Sequence, residues 1–423
     1  MASLGRKTCR LFGCCHIKKR ETKFSQDLIW SLSSRKRYFH ETTGEVKDKS
    51  RTQRQDNVLL DLIKYNNDLV SSSDPFYMMN HLLKNKLFEN EHIVAFNKPA
   101  GFPMTYNPPK NIRNCDLVDR VVNLDGLLPE LAERLLCTKL YVALPIDRMC
   151  SGVLILTKSE DYKEFLQKRF NSLKTTNQYL YQHWDALCVG VPDKLPAEKV
   201  KLYYNKEKFR DIYLPQTVFC TPSMNTRKRG NVMYTSLSGE IITKNEERGA
   251  RSSHVRVSVT SASNHVIPAF LSESFAPILG DQEYFWRAVS VMGVKMSILK
   301  QIPSSGIPRP QELSKGILHN LGIKQGHVQN LPVFLHRSAV DIVFPKNDQQ
   351  ENFQIKAPLP DTFLLAKYKL LKDNQSEAEC MERFAGGHRL KYNPSEEGGT
   401  TDGELGYKEW EKNIITDTST KDS

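Results

Sequence analysis

The stretch Leu140-Tyr141-Val142-Ala143-Leu144-Pro145-Ile146-Asp147-Arg148-Met149-Cys150-Ser151-Gly152-Val153-Leu154-Ile155-Leu156 sets a polar loop between two apolar runs. Val153-Leu154-Ile155-Leu156 is short, continuous and rich in branched residues, the pattern of a strand buried on both faces. The loop reads D-R-x-x-S-G and places charged groups at the lip of a hydrophobic core. A carboxylate in such a place is a candidate nucleophile or base. The plainer reading of Asp147 is a contact with Arg148 or a turn cap. After the second run, Thr157 and Glu160 have capping-box spacing, and Tyr162, Phe165, Leu166, Phe170 and Leu173 form one apolar helical stripe.

Upstream, Ile93-Val94-Ala95-Phe96 is a second buried-strand run, and Asn97-Lys98-Pro99-Ala100-Gly101 turns sharply at its end. Earlier still, Leu59, Leu62 and Ile63 have helical spacing, broken at Ser71-Ser72-Ser73-Asp74-Pro75. Downstream, Val255-Arg256-Val257-Ser258-Val259 alternates as a half-buried strand does. Lys199, Lys201, Tyr203, Tyr204, Lys206, Lys208, Phe209 and Arg210 interleave basic and aromatic residues. That pattern suits single-stranded RNA, and equally a strand with an aromatic core face. Arg227-Lys228-Arg229-Gly230 reads as a basic loop suited to phosphates. Ser304-Ser305-Gly306 and Pro308-Arg309-Pro310 mark a flexible insertion.

The 423 residues suggest two or three domains at about 150 residues each. No apolar run approaches the roughly 18 residues of a membrane span, which excludes an integral membrane protein. Nine cysteines without a C-x-x-C pair argue against a disulfide scaffold or a structural zinc, and point to a soluble protein of a reducing compartment. The net charge of +12 is uneven: +8 over residues 1–40, −6 over 373–423 and +10 over the body between them. A basic body suits a polyanion, since each neutralised phosphate releases counterions; a solvated basic surface is the alternative. Residues 1–40 resemble a mitochondrial transit peptide, with Arg35-Lys36-Arg37-Tyr38-Phe39 as the cleavage-like segment. The expected organisation is therefore a transit peptide at 1–40, a helical lead-in and linker at 41–87, a catalytic-type domain at 88–372 and a disordered acidic tail at 373–423. The expected location is the mitochondrial matrix.

In order along the chain, these landmarks resemble the RluA-type RNA pseudouridine synthases. Asn97–Gly101 looks like that family's N-K-P-x-G, and Asp147-Arg148 with Ser151-Gly152 like its H-R-L-D-R-x-T-S-G loop. Trp184-Asp185-Ala186-Leu187-Cys188-Val189-Gly190 fits the strand that usually begins with Tyr. Pro277-Ile278-Leu279-Gly280-Asp281 with Tyr284 is similar to P-I-x-G-D-x-x-Y. Leu335-His336-Arg337 and Ala357-Pro358-Leu359-Pro360 resemble the L-H-A and A-P-L-P signals.

The resemblance implies an α+β pseudouridine synthase domain: a mixed, mostly antiparallel sheet with flanking helices and a central RNA-binding cleft. It implies an isomerase that converts uridine to pseudouridine in RNA with no metal or organic cofactor, with Asp147 as the catalytic carboxylate. The target nucleotide must be flipped out, because its reacting atoms are inaccessible in a stack. Arg148, Trp184, Lys98, His265 and Arg256 are then the expected substrate- or RNA-binding residues, Trp184 as a stacking surface. His336 is expected to be a packed structural residue and Cys150 a small buried one.

The chain also departs from the pattern. The residues before Asp147 are Leu144, Pro145 and Ile146 instead of His, Arg and Leu, and Trp184 has no phenolic oxygen. In Ala262-Ser263-Asn264-His265-Val266-Ile267-Pro268, only His265 and Ile267 survive from G-R-x-H-Q-[IL]-R. The Arg that pairs with the catalytic Asp in the family is Pro268 here, which leaves Arg256 or Arg148 as replacement cations. Such losses resemble one branch, the degenerate animal mitochondrial mRNA synthase-like proteins. Mitochondrial mRNA or rRNA is the expected partner, with RNA-processing or ribosome-assembly proteins beside it. The competing reading is an inactive synthase fold that binds mitochondrial RNA.

Overall fold

In the computed structural model, the described residues are 57–105, 122–172, 180–193, 195–196, 200–209, 212–219, 223–225, 232–291, 294–297, 310–342 and 353–372. The transit-like segment, the acidic tail, Arg227–Gly230 and the insertion from Ser304 to Arg309 lie outside them. So do the side chains of 200–209, although their backbone forms a strand.

Helices α1 (Val58–Ser71) and α2 (Pro75–Lys84) come first. Asn57 and Asp74 cap them by accepting from the Leu59 and Phe76 amides, and Pro75 occupies the first turn of α2, where no donor is lost. Strands β1 (Lys86–Glu89) and β2 (Ile93–Lys98) precede α3 (Leu124–Arg134). Then β3 (Tyr141–Leu144), β4 (Ser151–Thr157), α4 (Glu160–Ser172) and β5 (Gln182–Val189) follow. Strands β6 (Val200–Phe209), β7 (Ile212–Phe219), β8 (Val232–Asn245) and β9 (Ser252–Val259) make a long antiparallel run. After it come α5 (Val266–Glu273), a hairpin of β10 (Ala288–Val291) and β11 (Val294–Ser297), α6 (Lys315–Leu321), β12 (Leu335–Ile342), β13 (Phe353–Lys356) and α7 (Asp361–Leu371).

One sheet runs β1-β2-β4-β12-β5-β9-β8-β6-β7, with β3 beside β4 and β13 beside β12. Among the described strands only β4 and β12 pair in parallel, so the sheet is mixed and mostly antiparallel, as expected. Every residue of β4 is buried. Its alternate side chains enter two cores. Leu154 and Leu156, with Val94 and Phe96 of β2, join the larger cluster, whereas Val153 and Ile155 meet Tyr162, Leu166 and Phe170 of α4 in the smaller. The continuous apolar runs of the sequence thus become central strands because both their faces are covered.

The expected cap at Thr157 is displaced. Thr157 is the buried last residue of β4, and Ser159 accepts from the Tyr162 amide instead. The lead-in helices are woven into the larger core: Leu59, Leu62, Ile63, Met78, Met79 and Leu82 belong to the same cluster as the sheet. Among the described residues no helix is long and apolar enough to cross a membrane.

Candidate active site

The site is built where β2 and β4 end side by side, with Lys98 opposite Gly152. The turn after β2 and the loop before β4 are tied together by one main-chain and one side-chain bond. The Gly101 amide donates to the Arg148 carbonyl at 2.8 Å, and Arg148 Nε donates to the Gly101 carbonyl at 3.0 Å. Lys98 completes the tie. It is fully buried, and its Nζ donates to the carbonyls of Pro99, Phe102 and Arg148 at 3.0–3.1 Å. Burial pulls this ammonium down to about 7. The expected RNA contact of Lys98 is therefore corrected: its head group faces inward and is consumed by carbonyls.

Within the loop, Asp147 has two jobs. Its Oδ1 accepts from the Met149 amide at 2.9 Å, an Asx-type turn that fixes the side chain. Its Oδ2 lies 3.2 Å from His265 Nε2, and the side chain is 39% exposed. The turn-cap reading and the open-carboxylate reading thus hold together, one for each oxygen. Burial alone would raise the Asp147 pKa. The bonds from His265 and the Met149 amide, with the charges of His265 and Lys98, outweigh it and hold the carboxyl below its usual range.

His265 stands at the start of α5 in the left-handed region, φ 55°, directly after Asn264 at φ 60°. Its other nitrogen, Nδ1, lies 3.2 Å from Glu283 Oε2. Bonding to Asp147, then to Glu283, raises the imidazole to about 10 against the opposing effect of burial, so it is a cation at neutral pH. Asp281 sets the far end of this chain. Its buried Oδ1 accepts from the Glu283 and Tyr284 amides at 2.9 and 3.0 Å, and burial lifts this carboxyl to about 6. Tyr284 is buried, with its ring 5.7 Å from that of His265. The result is a carboxylate–imidazolium–carboxylate row, Asp147–His265–Glu283, drawn from three segments of the chain.

The two arginines considered as replacements for the lost cation do not fill that place. Arg148 turns its Nε to Gly101. Arg256 pairs with Asp185 at 3.3 Å and Glu240 at 3.9 Å, because in the β5–β9 register it stands opposite Asp185, whereas Val257 stands opposite Trp184. The expected stacking role of Trp184 is also corrected. Its side chain is only 3% exposed and packs in the larger core, with the Arg337 guanidinium 5.5 Å from its ring. Cys150 is buried and its thiol is pushed up by burial, which leaves it inert. His336 is buried between the Ser151 hydroxyl (2.9 Å) and the Ala357 carbonyl (3.3 Å), and burial lowers it to about 4. Glu283 escaped the sequence reading, and Arg337 entered it only as the last residue of the L-H-A-like signal, with no role. Glu283 has a faint signal, two residues beyond an Asp whose side chain binds its amide. Among the described residues no cluster of His, Cys, Asp and Glu is arranged to hold a metal ion.

No protein-family model matches the sequence. The chain is 24% identical over 324 residues to the mitochondrial pseudouridylate synthase RPUSD4 of Danio rerio, which spans 71% of this chain and 77% of that protein. It is 24% identical to the protein of the same name from Mus musculus over 312 residues (72% and 74%), and 22% identical to that of Homo sapiens over 325 residues (73% and 76%). A solved structure of human RNA pseudouridylate synthase domain containing 4 overlaps 70% of this chain and 96% of its own, at 20% identity and a TM-score of 0.49. These relatives are named pseudouridylate synthases, and the chain is similar to them over about 70% of its length, in keeping with its RluA-type motifs. In this chain, His265 is the cation that touches Asp147. Pro268, at the place of the family's pairing Arg, lies inside α5.

Proposed function

We propose that the chain is a mitochondrial RNA pseudouridine synthase that isomerises uridine in mRNA or rRNA of the matrix, with Asp147 as its catalytic carboxylate. The observation that carries this reading is the open Oδ2 of Asp147, held ionised against His265 on a loop locked at both ends. A nucleophile must be anionic, accessible and oriented, and in support the Asp147 side chain is held ionised, is 39% exposed and is fixed by the Met149 amide. The relatives are named mitochondrial pseudouridylate synthases, and the basic body suits an RNA chain.

In the reaction, a flipped-out uridine presents C1′ to Asp147. The N1–C1′ bond breaks, the uracil turns, and C5 bonds to C1′; C5 gives up its proton and N1 gains one, so no atom is lost. Charge develops on the departing uracil, and the His265 imidazolium is the cation nearest the carboxylate that faces it. Trp184 is too buried to stack on the base, so the surface that receives the uracil is supplied elsewhere. A second reading, RNA binding without turnover, draws support from that buried indole and from the absence of a phenol at this position.

The test is pseudouridine mapping of mitochondrial RNA from cells lacking the protein, rescued with wild type or Asp147→Asn. Sites restored by wild type alone are the expected result. With the purified protein and such a site, Asp147→Asn lowers the single-turnover rate by about 10³-fold or more, the scale of losing a covalent nucleophile. An unchanged pseudouridine map, with a translation defect that Asp147→Asn repairs, identifies the binding protein instead.

A further inference from the structure

A fully buried cation with four hydrogen bonds lies behind the Asp147 loop and has no part in the chemistry above. Arg337, on β12, has no exposed surface. Its Nε donates to the Val153 carbonyl at 2.7 Å, Nη2 to the Leu144 carbonyl at 3.1 Å, and Nη1 to the Pro145 carbonyl at 3.1 Å and to Gln182 Oε1 at 3.3 Å. Its guanidinium carbon lies over the Trp184 ring, 5.5 Å from the centroid. All four acceptors are neutral oxygens. A guanidinium taken out of water is costly unless its donors are satisfied, and an apolar side chain would fill the space at less cost. The carbonyls it binds show what it does. Leu144 and Pro145 lead into the loop, and Val153 lies just beyond its exit. A single planar fork therefore joins the two shoulders of the segment that carries Asp147, a task a lysine's point charge is not shaped for. The approach is made possible at Gly152, φ 117°, where a Cβ would lie 2.3 Å from the Arg337 carbonyl oxygen.

Resting on the reading of Asp147 as catalytic, we propose that Arg337 is a positioning residue that clamps the shoulders of the 145–150 loop and so holds the Asp147 carboxylate against His265. Pro145 has no amide proton to anchor the loop, and its carbonyl in the Arg337 fork takes over that role.

The test uses the full chain with Arg337→Met and Arg337→Lys. The first readout is the titration of His265, followed by NMR of labelled imidazoles and assigned with His265→Gln. The second is the single-turnover rate of pseudouridine formation beside RNA affinity. If the clamp positions Asp147, both variants release the loop. His265 then titrates lower, toward the ordinary imidazole value of about 6.5. The rate falls about a hundredfold, the scale of a roughly 1 Å misplacement, with RNA affinity unchanged. Should Arg337→Met not fold, Arg337→Lys retains the charge and loses the fork, and it carries the same expectation. Folded variants with an unmoved His265 titration and a wild-type rate would overturn the clamp while leaving the synthase reading intact. A wild type inactive on every mapped RNA, with the His265 titration still shifted by Arg337→Lys, would sink the synthase reading and keep the clamp.

Discussion

At the scale of single residues, the Asp147–His265–Glu283 row makes a pH prediction whose sign can be worked out. Asp147 is held below its ordinary carboxyl range, so its contribution to stability is present above about 3.9 and is lost as pH falls through the lower folded value. His265 is raised to about 10, so its contribution is complete below about 6.5 and is lost as pH rises through 10. The pair therefore stabilises most between about pH 4 and 6.5 and fades on both sides. The thermal midpoint of His265→Gln should fall below that of wild type in this window, and the gap should close toward pH 10. A gap that stays constant from pH 6.5 to 10 would mean that His265 is not the cation of the pair. His265 itself was legible, as one of two survivors of a worn motif. Its partnership was not, because the sequence offered arginines for that role. The imidazole meets the loop from a left-handed backbone at Asn264 and His265.

At the scale of elements, the junction of β4 and β12 is a close backbone-to-backbone contact and yields the second prediction. Gly152 combines a left-handed φ with a backbone contact that no side-chain rearrangement can relieve. Gly152→Ala should cost about 3 kcal/mol or more, as a clash and a strained φ together. Gly326→Ala, with open space around its Cβ position, should stay within roughly 1 kcal/mol of wild type. Urea unfolding of the two variants makes the comparison, and similar midpoints would show that β4 and β12 can part without harm. The strands were legible because burial on both faces leaves a continuous apolar run, as in β2 and β4, and burial on one face leaves alternation, as in the Val255–Val259 half of β9. That alternation contained the answer for Arg256: opposite Asp185 in β5, it shares a face with that carboxylate, and Trp184 points to the other side. What the strands could not disclose was their order. The parallel pairing of β4 with β12 joins segments about 180 residues apart, and no local pattern records such a partnership.

For the whole molecule, the question is where the folded unit begins. Periodicity in Leu59, Leu62 and Ile63 identifies a helix but not what the helix packs against, and a boundary at residue 88 separates it from the sheet. In the structure α1 and α2 contribute Leu59, Leu62, Ile63, Leu69, Met78, Met79 and Leu82 to the larger core. Lys369 of α7 reaches back to Asn57 at the head of α1, 3.2 Å away and 312 residues distant in sequence. Each such side chain is worth about 1.5–3 kcal/mol when fully buried. Together the seven rival the whole net stability of a typical domain, about 5–15 kcal/mol. A chain beginning at residue 88 also cuts through β1 and exposes the face of β2 that α2 covers. We therefore expect residues 56–423 to unfold cooperatively in urea with the midpoint of the full chain, and residues 88–423 to be aggregated or to lack a cooperative transition. Leu59→Ala in the full chain should lower stability by about 2–4 kcal/mol without altering the spectrum of the folded state. If residues 88–423 instead unfold with the full-length midpoint, the two helices are an appendage, and the seven buried side chains are not part of what holds the sheet together.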